Sequence, residues 1–296
     1  MNCGYIAITD ICNYKCGNCP YKSNIKKFVE YDKIKAYIDE NDNDMQTIVL
    51  SGGEPTLHPD FFKILKYLDV KGKYVTILSN GSRLSNNMFV KGIKDNIDVR
   101  RLNIVMTIYN VKEKKHDEGT GIIGSFENTL QAFEILNKNN IKVTLKHCIS
   151  KENYKDLSKF FIYFDKKLPT NISFQLTTLD FSGMNQKQIR NNCFTYSQIK
   201  KYMDKALKKF NKERNLIIVN TPFCAVNSKY WNYIVKKQNG AYKGYKSIKS
   251  QNKDVNYDCA CFSKLCQNCK MNEICPGTYR ANYEFVGDKL VAPIIK

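Results

Sequence analysis

Residues 5–19 read YIAITDICNYKCGNC, an apolar run that leads directly into three cysteines. The run at 5–9 has the apolar content of a buried strand. Cys12-x3-Cys16-x2-Cys19 then puts three thiols in one short loop at that strand's end. At 12 cysteines in 296 residues, such a triple arises by chance in roughly 2% of chains. Closely spaced soft thiolates suit iron–sulfur or zinc. Three ligands on a cubane leave one iron without a protein sulfur, and that open corner can bind a reactant. A structural zinc site wants a fourth ligand, and no His or Cys follows nearby.

Working outward, segments 47–50, 74–78, 99–109, 141–149 and 172–179 read as further strands. Segments 31–38, 61–68, 126–136 and 154–164 carry apolar residues at helical spacing between them. Ser125, after Gly124, reads as the N-cap of the 126–136 helix. Six strand–helix steps in roughly 180 residues are the pattern of a parallel sheet with helices outside. That is too short for an eight-fold barrel of about 250 residues. The fold class is therefore α/β, a partial (β/α)6 TIM-like barrel followed by a small cysteine-rich domain. Beyond residue 180 the rhythm changes, with a Lys-rich helix at 196–210 and a strand at 216–219 leading to Cys224.

No apolar run approaches the roughly 18 residues that cross a bilayer. The N-terminus shows no basic segment followed by an apolar stretch, so a cytoplasmic protein is expected. Twelve cysteines without an export signal argue for metal or redox use. Cys3, Cys148 and Cys193 stand apart and read as core or surface thiols. Lys and Arg number 47 against 28 Asp and Glu, a net charge of +19. This favours an anionic partner such as nucleic acid or an acidic peptide, unless genome composition alone sets it. Six lysines fall within 236–253, with Tyr242 and Tyr245 interleaved. They read as a solvated basic loop, with an anion-binding surface as the alternative.

Gly52-Gly53-Glu54-Pro55 directly follows the strand at 47–50. Two glycines there let a ligand approach the backbone, and Glu54 adds a carboxylate. Together with the cysteine loop, this motif resembles the radical S-adenosylmethionine (radical SAM) superfamily. The resemblance implies that Cys12, Cys16 and Cys19 hold a [4Fe-4S] cluster whose fourth iron is chelated by the amino and carboxylate groups of SAM. It places Gly52, Gly53, Glu54 and Pro55 at the methionine end, Ser79 and Asn80 near the ribose, and Thr107 at the SAM carboxylate. His116-Asp117, Gly121 and Gly124-Ser125-Phe126 are similar to a stretch of the peptide-modifying branch. The residue before the third cysteine, aromatic or histidine in most of the family, is Asn18 here. An amide still offers a hydrogen bond to adenine, and Tyr21 is close in sequence. Lys146 and His147 alternate sides on the fifth strand, so one of them is expected to face inward, in a buttressing role with service to the substrate as the alternative, and no catalytic acid or base is assigned.

A second thiol group, Cys266-x2-Cys269-x5-Cys275, precedes Pro276-Gly277. It resembles the core of the SPASM/twitch extension, which implies an auxiliary iron–sulfur cluster in a shortened domain, with Tyr279 where the fuller pattern has a further cysteine. Six C-terminal cysteines supply one four-ligand cluster, not two. Cys224 is the expected fourth ligand, with Cys261 or Cys259 competing; zinc remains the alternative metal, because the spacing suits both. The resulting division is a radical SAM core at 1–182, a connecting helix and strand at 183–220, and the auxiliary domain at 221–296. The first strand begins by about residue 5, so no peptide-recognition domain is expected before the barrel. The implied activity is reductive cleavage of SAM to a 5′-deoxyadenosyl radical that abstracts hydrogen from a peptide or protein side chain, in a ribosomal-peptide maturase. The implied partners are SAM, a peptide and an electron donor such as flavodoxin or ferredoxin. A small molecule or tRNA is the alternative substrate, and a zinc and nucleic-acid binder the non-enzymatic alternative.

Overall fold

The computed structural model describes residues 3–19, 27–43, 45–237 and 259–295. Tyr21 and most of the basic 236–253 segment lie outside the described residues.

Seven strands form one parallel sheet in sequence order: β1 (Cys3–Thr9), β2 (Thr47–Gly52), β3 (Tyr74–Ser79), β4 (Leu102–Thr107), β5 (Lys142–Ile149), β6 (Ser173–Thr178) and β7 (Leu216–Val219). The expected partial α/β barrel is present with one strand more than the six-step pattern. The additional strand is the one at 216–219, where Phe174 to Thr177 of β6 pair with Leu216 to Val219. Four residues give too little periodicity to show whether they extend a sheet or lie beside it.

The helices that accompany the strands are α1 (Tyr31–Glu40), α2 (Phe61–Val70), α3 (Asn87–Lys94), α4 (Glu113–Thr120), α5 (Ser125–Lys138), α6 (Leu157–Lys167), α7 (Gln186–Asn192) and α8 (Tyr196–Lys209). In α2, Phe61, Ile64, Leu65 and Leu68 are buried, a spacing of three and four residues that makes one stripe. Each such side chain contributes ~1.5–3 kcal/mol by leaving water. Strand alternation then sorts residues to two sides. Ile104, Met106, Leu145 and His147 are buried, whereas Val105, Thr107, Lys146 and Cys148 line a cavity. A two-stranded antiparallel ribbon, β8 (Cys259–Ala260) and β9 (Thr278–Tyr279), and a last helix, α9 (Arg280–Val286), form the C-terminal part. Among the described residues, no helix is long and apolar enough to cross a membrane.

Candidate active site

The cysteine loop is clamped from two sides. On one side, the Gly53 N–H donates to Thr9 O at 2.7 Å and the Glu54 N–H to Ile11 O at 2.8 Å. A Cβ at Gly52, where φ is +122°, would lie 2.2 Å from Thr9 O, and one at Gly53 would lie 2.3 Å from Ile11 O. The two glycines therefore let the cysteine loop's own backbone come close. On the other side, the Lys15 N–H donates to Thr120 O at 2.9 Å and the Gly17 N–H to Gly119 O at 3.0 Å. Gln188 of α7 adds a side-chain N–H to Gly17 O at 2.9 Å.

The His116–Phe126 stretch supplies that second support. Gly124, not Ser125, is the N-cap residue of α5 and has no side chain to cap with. Asp117 does so instead, accepting from Gly124 N, Ser125 Oγ and Phe126 N at 2.6–2.9 Å. Burial alone would raise its pKa, but these donors outweigh burial and hold the carboxyl below its ordinary value. His116 Nδ1 accepts from the Tyr109 N–H at 3.2 Å.

Between the clamp and the strand ends lies a cavity of about 230 Å³. Cys12, Cys16, Cys19, Asn18, Gly52, Gly53, Ser79, Asn80 and Thr107 all line it. Asn80 Nδ2 donates to Cys12 Sγ at 3.7 Å, while the amides of Asn18 and Asn192 face each other at 3.3–3.5 Å. Glu54 and Pro55 stand behind this wall and are buried. The Glu54 carboxylate accepts from Ser79 Oγ at 2.8 Å, Asn80 N at 2.6 Å and Thr56 Oγ1 at 2.6 Å, so it ties the end of β3 to the glycine loop. Burial raises its pKa, against those hydrogen bonds.

The cavity also takes in residues the sequence pattern did not single out as site residues. Lys146, directly across from Thr107 in the β4–β5 register, is the only lysine or arginine among its described lining residues, and Asp180 the only carboxylate. His147 points the other way: its Nδ1 meets Ile108 O at 2.8 Å, and its ring packs against Phe160 at 4.0 Å. Cys148, read above as a core or surface thiol, faces the cavity opposite Thr177. Tyr279 also lines it, with its hydroxyl accepting from Asn220 Nδ2 at 2.7 Å. Strand alternation marks Lys146 and Cys148 as a same-side pair, but nothing local announces Tyr279.

The C-terminal cysteines make a different enclosure. Cys224, Cys261, Cys266, Cys269 and Cys275 line a cavity of about 20 Å³ whose other walls include Phe223, Met271 and Val291. Gly277, at φ +73°, permits the approach of Ala260, whose carbonyl carbon would lie 2.1 Å from a Cβ there. Cys259, in β8, is not among the described residues that line this cavity.

Both groups have the donor chemistry of metal sites. Burial pushes the Cys16 thiol up to about 11 and Cys224 to about 12, so these sulfurs stay protonated unless a metal takes the proton's place. Among the described residues, no three Cys, His, Asp or Glu side chains close on a single-ion site. The fit to a cluster rests on thiol number and placement.

Fold and site together define a partial barrel that carries a three-thiol loop and, beside it, a cavity with hydroxyls, amides, a lysine and an aspartate in its walls. Residues 6–162 match the family model of the Radical SAM superfamily, and the chain belongs to that superfamily of iron–sulfur enzymes. It is 31% identical over 158 residues to an AdoMet-dependent heme synthase of Methanosarcina barkeri, covering 52% of this chain and 44% of that protein. It is 29% identical over 151 residues to AlbA, the antilisterial bacteriocin subtilosin biosynthesis protein of Bacillus subtilis, covering 49% and 33%. The chain thus spans less than half the length of these two relatives. The crystal structure of Streptococcus suis SuiB bound to its precursor peptide SuiA is similar in fold, with a TM-score of 0.62 at 14% identity, covering 98% of this chain and 74% of that one.

Proposed function

We propose that the chain cleaves SAM reductively at a [4Fe-4S] cluster held by Cys12, Cys16 and Cys19, and modifies a peptide side chain with the radical so formed. The observation that carries this reading is one shared cavity. Its walls hold the three thiols, Gly52, Gly53, Ser79, Asn80 and Thr107 together with Cys148, Thr177, Asp180 and Tyr279. A cluster bound at the thiols supplies the electron that splits the sulfonium into methionine and a 5′-deoxyadenosyl radical. Lys146, across from Thr107, would give the SAM carboxylate a cation and a hydroxyl. Asn80 and Ser79 would lie near the ribose, and Asn18 would offer its amide to adenine. Glu54 acts from behind by fixing Ser79 and Asn80, as does Pro55 by starting the short helical turn at Pro55–Leu57. Cys148, Thr177, Asp180 and Tyr279 would then hold the substrate hydrogen near the radical and keep water out.

A bacteriocin biosynthesis protein among the relatives, and a peptide-bound neighbour in fold, support a peptide substrate. The net charge of +19 suits an acidic leader. Cys224 with Cys266, Cys269 and Cys275 would hold one auxiliary iron–sulfur cluster, and a ferredoxin or flavodoxin would deliver the electron. A second reading, a tetrapyrrole or other small-molecule substrate, is favoured by the heme synthase relative at 31% identity. Anaerobic incubation with SAM, dithionite and each candidate substrate separates the two. A mass change in a peptide with matching 5′-deoxyadenosine supports the first; deoxyadenosine coupled only to conversion of a porphyrin refutes it.

A further inference from the structure

Tyr14 and His116 line the N-terminal cavity, and they are only 8% and 1% exposed. Tyr14 Oη and His116 Nε2 are buried, and neither has a hydrogen-bond partner among the described residues. Nδ1 of His116 accepts from the Tyr109 N–H at 3.2 Å, so the ring proton belongs on Nε2. A hydroxyl and an N–H therefore stand unmet in one enclosure. Buried donors are rarely left so, and such a pair calls for an acceptor that arrives with a ligand. Resting on the cluster reading above, we propose that Tyr14 Oη and His116 Nε2 donate to the inorganic sulfides of the [4Fe-4S] cluster at Cys12, Cys16 and Cys19, and thereby raise its reduction potential.

Both residues belong to the segments that frame Cys16. Tyr14 stands two residues before it. His116 lies on α4, whose Thr120 and Gly119 carbonyls accept from the Lys15 and Gly17 N–H groups on either side of Cys16. The cysteine sulfurs have donors of their own. Cys12 Sγ accepts from the Tyr14 N–H at 3.4 Å and from Asn80 Nδ2 at 3.7 Å, and Cys16 is bonded to the Tyr109 side chain. The SAM contacts proposed above use Lys146, Thr107, Ser79, Asn80 and Asn18, so neither unmet donor is needed there. The sulfides are the acceptors still to be served. Charge gives the pair its function. Three thiolates on a cubane make an anion, and one-electron reduction adds a further negative charge. Lys146 is the only lysine or arginine among the described lining residues, so neutral donors close to the sulfur favour the reduced form over the oxidised one. The pair thus eases the electron uptake on which SAM cleavage depends.

The test is a potentiometric titration, followed by EPR, of the anaerobically reconstituted full-length chain without SAM. Tyr14→Phe, His116→Phe and His116→Gln are compared with wild type. The signal titrated is the one that the Cys12, Cys16 and Cys19 alanine variant lacks. At a fixed potential, Tyr14→Phe and His116→Phe should each lower the ratio of reduced to oxidised cluster about 3- to 10-fold. His116→Gln, which keeps an N–H, should restore most of that ratio. The ratio does not depend on how much cluster a variant loads, so partial loss of iron does not mask it. Equal ratios in wild type and both Phe variants overturn the proposal, and weaker SAM binding in those variants would then give the donors to SAM. A fall in His116→Gln as large as in His116→Phe assigns the effect to ring packing and overturns the role of Nε2. A wild type with no signal beyond that of the alanine variant overturns the cluster reading itself.

Discussion

The two cysteine groups of this chain differ in what surrounds them. The N-terminal three open on a cavity of about 230 Å³ with hydroxyls, amides, a lysine and an aspartate in its walls. The C-terminal five close on about 20 Å³ among apolar side chains. Three thiols beside an open cavity leave room for a reactant, whereas five around a nearly filled void leave no room for one. On the proposed reading, the chemistry would belong to the first group, and relay or structural duty to the second.

The largest expected effect that probes this contrast is on iron. Replacing Cys12, Cys16 and Cys19 together with alanine should lower anaerobically reconstituted iron from about eight to about four per chain; unchanged iron would remove the first site from the comparison. Next come the close backbone approaches. Gly53→Ala and Gly277→Ala each force a Cβ into backbone, at 2.3 Å and 2.1 Å respectively, which no rotamer change relieves. Each should cost on the order of 3 kcal/mol or more by urea denaturation. Gly53→Ala should lower iron at the first site alone, and Gly277→Ala at the second alone. If either variant drains both sites, the two groups are not independent.

Lys146→Met should weaken SAM binding about 10- to 100-fold by loss of a charge-assisted contact, read by equilibrium binding to the reconstituted protein, with iron unchanged. The smallest effect concerns pH. Burial lowers the His147 pKa to about 4 from its ordinary 6.5. The unfolded chain then takes up the proton first as pH falls, so stability is full above about 6.5 and is lost between 6.5 and 4. At pH 5 this amounts to about 1–2 kcal/mol. His147→Phe should flatten that part of the urea midpoint profile, and an unaltered slope would show that the imidazole is not buried neutral.

What the sequence made legible was local. Cys12, Cys16 and Cys19 lie within eight residues, and Gly52-Gly53 directly follows a strand, so spacing alone announces both. Alternation says that Lys146 and His147 face opposite ways; which one faces inward depends on where α6 packs, and Phe160 settles it by covering His147. The α5 cap was misread because its acceptor, Asp117, sits seven residues before Gly124, outside the usual capping window. Tyr279 is hidden for a stronger reason: its hydroxyl meets Thr177, 102 residues away, at 3.3 Å. No periodicity encodes that contact. Among the candidate fourth ligands, Cys261 lines the C-terminal cavity and Cys259 does not; Cys259 lies in a two-residue strand, which carries no readable pattern.

The claim on which all this depends is that the open thiol group works on SAM. Protein purified and reconstituted without oxygen, given SAM and dithionite, should release 5′-deoxyadenosine and methionine in equal amounts, and the Cys12, Cys16 and Cys19 alanine variant should release none. Intact SAM after incubation with fully iron-loaded wild-type protein, with and without peptide, would contradict the account.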